Sequence, residues 1–143
     1  MECKNETMAT TDRVFRRKIQ EKFPEIASQV AEEPLLHDVS EIKDLYNVFT
    51  LVVTLPDFSK GSEVVDFRTL FIAIVLKFYD PDYMNGYKHK VRNGIRPEIA
   101  RLFDVDGSYV SYLFSMATGR VRIYKDVAEN VEKITEGEIK LKT

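Results

Sequence analysis

The fold is decided by the twenty residues at positions 96–115, which read RPEIARLFDVDGSYVSYLFS. Pro97 suits the first turn of a helix, where its missing N–H group costs no hydrogen bond. Asp106 is a good N-cap residue for a second helix, which we expect to cover about 107–118, with Gly119 as its C-terminal stop. The apolar residues of the stretch suit the core of a compact helical hairpin. The stretch 96–115 therefore predicts two helices joined by a short turn.

This stretch resembles the helix-turn-helix motif of bacterial and phage repressors. Ala100 is the small residue where the two helices of that motif approach, and apolar residues fill its packing positions: Ile99, Phe103, Val105, Val110 and Leu113. The family usually has glycine in the turn, because a positive φ angle is needed there, whereas this chain has Asp104. Asp is one of the few residues that tolerate this conformation. The resemblance implies an all-α fold whose second helix lies in the major groove of duplex DNA.

In this family the outward residues of the second helix contact bases and nearby phosphates. The corresponding residues here are Asp106, Ser108, Tyr109, Ser111, Tyr112 and Ser115. Hydroxyl groups can donate to phosphate oxygens or to either base edge, but the set contains no Arg for bidentate recognition of guanine. We therefore expect modest sequence discrimination.

The net charge of −2 hides a strong segregation of charge along the chain. Residues 86–125 carry eight basic and three acidic side chains, and acidic segments flank them. This pattern is expected when one surface meets phosphates. We predict that phosphates are bound by Lys88, Lys90, Arg92, Arg96, Arg101, Arg120, Arg122 and Lys125. If four to six of these cations meet phosphates, log affinity should fall against log salt with a slope of about −4 to −5.

Three further helices are predicted before the motif. The first covers about 12–31, and Pro24 leaves open a kink or two shorter helices. A capping pattern at 38–41 starts the second, which keeps a helical period as far as Pro56. Its end, residues 49–55, is rich enough in β-branched residues that a short strand stays open. The third, about 63–79, is apolar on nearly every side and should be the hub of the core.

The segment between the third helix and the motif is rich in turn signals and in basic residues. Asp80 and Asp82 flank a proline at the helix stop, which favours a solvated turn. If Tyr87–Arg92 is extended, its period of two places Lys88, Lys90 and Arg92 on one face. This predicts a short basic hairpin or arm at 83–94, with a merely solvated loop as the alternative.

A final helix is expected at 122–134, where apolar residues recur at helical spacing. It could pack against the motif or pair with a second copy of the chain in a homodimer. The predicted organisation is a helical region at 1–62 for core support or oligomerisation, a DNA-binding region at 63–135 and a flexible tail at 136–143. Residues 64–118 also resemble, more loosely, the C-terminal origin-binding domain of bacterial replication initiators and the Trp-repressor-like fold. The insertion at 80–95 departs from both.

Several classes of function find no support in the sequence. The longest apolar stretch, 70–76, is far shorter than the roughly 20 residues of a membrane span, and no secretory signal is recognisable, so a cytoplasmic protein is expected. Cys3 has no second thiolate with which to hold zinc, and His37 and His89 are too far apart in sequence to bind a metal together. Both histidines are expected at the surface or at its boundary. A calcium loop at 102–113 fails because Leu occupies its first and last positions. We expect no metal, no cofactor and no enzyme active site.

The sequence thus predicts a small all-α, multi-helix protein that binds double-stranded DNA. A transcriptional or replication regulator of bacterial, phage or mobile-element origin fits this description. The alternative is a non-enzymatic interaction or structural protein, such as a virion or assembly component, that uses the same helical core to bind protein.

Overall fold

The computed structural model describes residues 18–19, 21–23 and 33–135. Six α-helices lie between residues 42 and 133, and a 3-10 turn at Val39–Glu41 leads into the first. They are α1 (Ile42–Val52), α2 (Gly61–Tyr79), α3 (Pro81–Met84), α4 (Ile95–Phe103), α5 (Gly107–Ile123) and α6 (Lys125–Lys133). No β-strand occurs in the described ranges. The predicted all-α, multi-helix fold is confirmed.

Helix α2 is the centre of the core, as its apolar sequence predicts. Each residue from Phe71 to Leu76 is at most 1% exposed. A helix that is apolar all round must be surrounded by protein, and α2 packs against α1, α3, α5 and α6. The other helices are therefore positioned by their contacts with α2.

An aromatic cluster holds α4 against this scaffold. The ring centroids of Tyr46 and Phe71 are 5.0 Å apart, and Phe103 of α4 lies 5.9 Å from Tyr46 and 6.0 Å from Phe71. All three pairs are close to edge-to-face, the arrangement that the ring quadrupoles favour. The first helix of the predicted DNA-binding motif is thus fixed by α1 and α2 together.

The segment before α1 is tied to the C-terminal end of α2. The Leu35 and Leu36 N–H groups both donate to the Phe78 carbonyl, at 2.9 and 3.0 Å. The hydroxyl of Tyr79 donates to the Asp38 carbonyl at 2.9 Å. Burial of the phenol, followed by the nearby carboxylates of Glu41 and Asp38, raises the pKa of Tyr79 to about 12. The neutral phenol therefore holds this segment at physiological pH.

The second predicted helix is present but shorter than expected. Helix α1 ends at Val52, so the alternative of a strand at 49–55 is wrong. Ile42, Leu45 and Phe49 are buried at three- and four-residue spacing, which only a helix can place on one face. Most of the helix predicted at 12–31, including its proline, lies outside the described residues.

The basic hairpin expected at 83–94 does not form. Helix α3 occupies its start, and turns follow as far as α4. The reason is Asp80, which is 3% exposed and so does not belong to a solvated turn. Its carboxylate accepts from the N–H groups of Tyr83 (3.3 Å) and Arg92 (2.7 Å), and Lys88 Nζ lies 2.9 Å from it. A buried carboxylate thus folds residues 81–92 back onto the end of α2.

The second helix of the motif runs past its predicted stop. Gly119 lies inside α5, which ends at Ile123. Thr118, 1% exposed, donates its hydroxyl to the Phe114 carbonyl at 3.1 Å, and Arg120 forms an ion pair with Asp66 of α2. Burial of Thr118 on one side of Gly119 and the Arg120 ion pair on the other outweigh the low helix propensity of glycine, about 1 kcal/mol relative to Ala.

Helix α6 packs within the chain. It begins at Lys125, three residues later than predicted, and Val131 and Ile134 at its C-terminal end are 3% and 5% exposed. Both belong to the core cluster that also contains Ile42 and Phe49, on the other side of the predicted boundary at 62/63. Of the two alternatives for this helix, the structure shows packing against the motif within the chain. Among the described residues, no helix is long and apolar enough to span a membrane.

Candidate nucleic-acid interface

The turn between α4 and α5 depends on a residue in left-handed conformation. Asp104 has φ 53° and ψ 55°, and it is the only non-glycine residue with positive φ in the described part of the chain. The Val105 N–H donates to the Ala100 carbonyl at 3.0 Å and the Asp104 N–H to the Arg101 carbonyl at 3.3 Å, the pattern of a Schellman motif. The expectation that Asp104 supplies the positive φ of this turn is confirmed.

The apolar residues predicted to pack the two helices all reach the core. Ile99, Val110 and Leu113 are fully buried. Ala100, Phe103 and Val105 are partly buried and contact the same core cluster. These residues fix both helices against the core. The side chains on the opposite side of α5 therefore point to solvent.

The N-terminus of α4 is held by a close backbone approach. Gly94, which precedes α4, has φ 95°, and a Cβ atom placed there would lie 3.2 Å from Cγ2 of Val39. Any side chain at this position would therefore be both strained and crowded. Gly94 allows the first turn of α4, with Arg96 and Pro97, to emerge at the surface beside α5.

The six residues predicted to face DNA separate into two groups. Asp106, Ser108, Tyr112 and Ser115 are exposed, and Tyr112 retains 54% of its accessible surface. Tyr109 and Ser111 are half-buried. Tyr109 packs against the core, with its ring 6.2 Å from that of Tyr112. The exposed side of the first half of α5 is thus a polar surface with one projecting aromatic ring.

Ser111 links this surface to a cation of α4. Its hydroxyl donates to the Gly107 carbonyl at 3.2 Å and accepts from the guanidinium of Arg96 at 3.1 Å. Arg96 is otherwise exposed, so most of its N–H donors face solvent at the edge of the α5 surface. The structure brings together a base-facing and a phosphate-binding residue of the predicted site.

A cleft of about 560 Å³ opens between this part of α5 and the turns that precede α4. Its walls carry basic side chains on one side and hydroxyl groups on the other. Among the residues that line it are His89, Lys90, Arg92, Arg96, Ser111 and Ser115. A concave surface lined by cations concentrates positive potential, because field lines focus where low-dielectric walls exclude solvent. The cleft therefore favours an anionic ligand.

The basic residues before α5, which we call the N-terminal flank, are Lys88, Lys90, Arg92, Arg96 and Arg101. Lys90 and Arg96 are exposed. Lys88 is paired with the buried Asp80, and the Arg92 guanidinium donates to the carbonyls of Leu36 and His37.

Arg101 is the remaining member of the N-terminal flank. It forms an ion pair with Glu98 on its own helix at 3.0 Å, yet it stays 73% exposed. Lys90, Arg96 and Arg101 can therefore meet phosphates without first leaving a buried partner.

We call the basic residues from the last turn of α5 onward the C-terminal flank. They are Arg120, Arg122 and Lys125. Arg120 pairs with Asp66 at 2.9 Å, and its side chain is 28% exposed. Arg122 donates to the Met84 carbonyl. Lys125 is 90% exposed, with Glu129 at 3.8 Å. The two arginines hold α5 against α2 and α3, and only Lys125 extends into solvent.

Asp80 is the residue that sequence reasoning misjudged most. It binds the Lys88 ammonium group and the Arg92 backbone N–H, and these are the two half-buried basic residues of the N-terminal flank. The available signal was an Asp directly before Pro81 at a helix start, because Asp is a favoured N-cap and Pro a favoured first helical residue. His37 and His89 lie at the surface, as predicted.

The described residues contain no group of three His, Cys, Asp or Glu side chains that could hold a metal ion. Comparison with known proteins adds no further assignment. No protein-family model matches this chain, and neither a curated protein nor a solved structure shows significant similarity to it.

Proposed function

We propose that this protein binds duplex DNA through a helix-turn-helix formed by α4 and α5, as a cytoplasmic transcriptional or replication regulator. The observation that carries the proposal is the hydrogen bond between Arg96 and Ser111, which joins an exposed cation to the polar face of α5. A recognition helix placed in the major groove has phosphates along both edges of its binding surface. Arg96 and Lys90 lie at one such edge, beside the cleft.

The two parts of this surface would perform different tasks. Ser108, Tyr112 and Ser115 offer hydroxyl groups that can bond to base edges, and the Tyr112 ring can contact a thymine methyl group. Lys90 and Arg96 would bind phosphates, which fixes the register of the protein without sequence information. With Arg101 and Lys125 added, four exposed cations are available. This number predicts a slope of about −4 for log affinity against log salt.

Fluorescence anisotropy with a labelled random-sequence duplex tests the proposal. We expect the wild-type chain to bind at about 50 mM salt and to lose about two orders of magnitude in affinity by about 200 mM. Absence of binding at the lower salt concentration would refute the proposal, and so would binding that salt does not weaken.

A selection of preferred duplexes from a random pool separates base recognition from phosphate binding. Tyr112→Ala should change which sequences are preferred, whereas Lys90→Ala should weaken binding to all sequences alike. Both side chains are exposed, so neither substitution should disturb the core. If the two variants give the same profile, the division of tasks on this surface is wrong.

A second candidate function, binding of protein or of a second copy, is favoured by apolar side chains near the end of α1. Leu51 is 83% exposed, Leu55 54% and Phe58 61%. Exposed apolar side chains close together in the chain can mark an interaction surface. Sedimentation velocity would test self-association. A wild-type dimer that Leu51→Ser plus Phe58→Ser converts to a monomer would support this candidate, and a wild-type monomer would exclude a stable homodimer.

A further inference from the structure

A helical turn near the N-terminus lies next to the N-terminal flank. Residues 18, 19, 21 and 22 have helical backbone, and the Phe23 N–H donates to the Ile19 carbonyl at 2.7 Å. The carboxylate of Glu21 lies 3.9 Å from Nε2 of His89. His89 lines the cleft beside α5 and directly precedes Lys90. The turn is therefore placed at the edge of the candidate DNA-binding surface.

The face of this turn that meets His89 through Glu21 also carries two lysines. Residues three and four apart lie on the same side of a helix, so Lys18, Glu21 and Lys22 share one face. Glu21 is directed at His89, which places the two lysines on either side of that contact. Lys18 and Lys22 are both exposed.

We propose that Lys18 and Lys22 bind phosphates of the same DNA duplex that α5 contacts. This inference rests on the proposed function and extends its site to a segment that the sequence assigned only to core support or oligomerisation. The turn contacts His89, the neighbour of Lys90, so its two ammonium groups would extend the row of exposed cations at one edge of the surface. Because a duplex carries about one charge per 1.7 Å of axis, a longer row of cations meets more phosphates.

The charges in this region favour a nucleic acid over an acidic protein. Between Lys18 and Lys22, and between Lys88 and Arg96, no apolar side chain of the described residues is exposed, and one exposed ring, Phe23 (52%), follows Lys22. Protein interfaces have an apolar or aromatic centre from which Lys is depleted, whereas phosphate contacts are supplied by Lys and Arg. An exposed cationic edge is what a phosphate backbone requires.

The test compares salt slopes by fluorescence anisotropy on a random duplex, with all 143 residues present in every variant. Lys18→Ala plus Lys22→Ala should reduce the magnitude of the slope by about 2, since each lost phosphate contact removes about 0.9. Affinity at about 0.1 M salt should fall by more than about tenfold. Lys18→Arg plus Lys22→Arg should restore the wild-type slope, because the charge is kept.

A matched control, Lys60→Ala plus Lys133→Ala, removes two exposed lysines that do not border the cleft, one directly before α2 and one in α6. This control should leave the slope within about half a unit of the wild type if only local phosphate contacts matter. Circular dichroism should show the same helix content in all variants.

The outcomes separate the two proposals. If the wild-type chain binds DNA and the Lys18 and Lys22 variant keeps its slope, this inference is overturned and the proposed function stands. An equal loss in the control would also overturn it, because net charge alone would then explain the effect. If the wild-type chain does not bind DNA, both proposals fail.

Discussion

The two basic flanks of α5 have different roles in the structure. In the N-terminal flank, Lys90, Arg96 and Arg101 are exposed near the polar face of α5. In the C-terminal flank, Arg120 and Arg122 are bonded to Asp66 and to the Met84 carbonyl. The first flank presents charge to a ligand, and the second uses most of its charge to hold helices together.

The difference shows why a count of basic residues overestimates a binding surface. Arg120 and Arg122 find their partners 54 and 38 positions away in the chain. No local pattern distinguishes such an arginine from one that is free to meet a phosphate. The difference between the two flanks can be tested by substituting, one at a time, residues that take part in the structural bonds of these cations.

The largest effect is expected when the buried carboxylate that organises the N-terminal flank is removed. Asp80→Ala should lower the free energy of unfolding by about 3 kcal/mol, because two N–H groups and Lys88 lose a buried partner. Urea unfolding followed by circular dichroism measures this. The matched control Asp44→Ala removes an exposed carboxylate and should cost less than about 0.5 kcal/mol. Equal losses in the two variants would contradict the role of Asp80.

A smaller effect on stability is expected at Arg92. This residue belongs to the N-terminal flank by sequence, but its guanidinium is bonded within the protein, as those of Arg120 and Arg122 are. Arg92→Ala should cost about 2 kcal/mol of stability, since its guanidinium donates to two backbone carbonyls. The DNA salt slope of the folded variant should change by well under the 0.9 expected for a phosphate contact. A full loss of that size would show that Arg92 binds phosphate as the sequence predicted.

The smallest effect is expected at Tyr79, which holds the segment that receives Arg92. Tyr79→Phe removes its bond to the Asp38 carbonyl and should cost about 1 kcal/mol at neutral pH.

Alkaline pH gives a second measure of the same contact. The folded pKa of Tyr79, about 12, lies above the unfolded value of about 10. Its contribution is therefore complete below pH 10 and is lost as the pH rises through 12. Stability measured across this range should fall more steeply for the wild type than for the variant. Parallel curves would contradict the assigned pKa.

Much of the fold could be predicted because its signals are local. The apolar circumference of α2, the spacing of Ile99, Val110 and Leu113, and the tolerance of Asp104 for positive φ each act within a few residues. These features predicted the two helices and their turn with small errors at the ends.

The errors arose where distant contacts outweigh local preference. Gly119 remains helical because Thr118 is buried against the core and Arg120 pairs with Asp66 of α2. Asp80 is buried because residues 83, 88 and 92 bring donors to it. At the candidate site, the polar face of α5 could be predicted from the helical period. The hydrogen bond between Arg96 and Ser111 could not, because it depends on the relative orientation of α4 and α5.

The most direct test of the central claim compares the salt slopes of variants in the two flanks. Lys90→Ala plus Arg96→Ala should reduce the magnitude of the wild-type slope by about 2, and Arg120→Ala should change it by less than about 0.5. The slopes are measured by fluorescence anisotropy with one random duplex, under conditions in which all variants are folded. The claim is contradicted if Arg120→Ala reduces the slope as much per charge removed as the N-terminal pair, or if neither variant differs from the wild type.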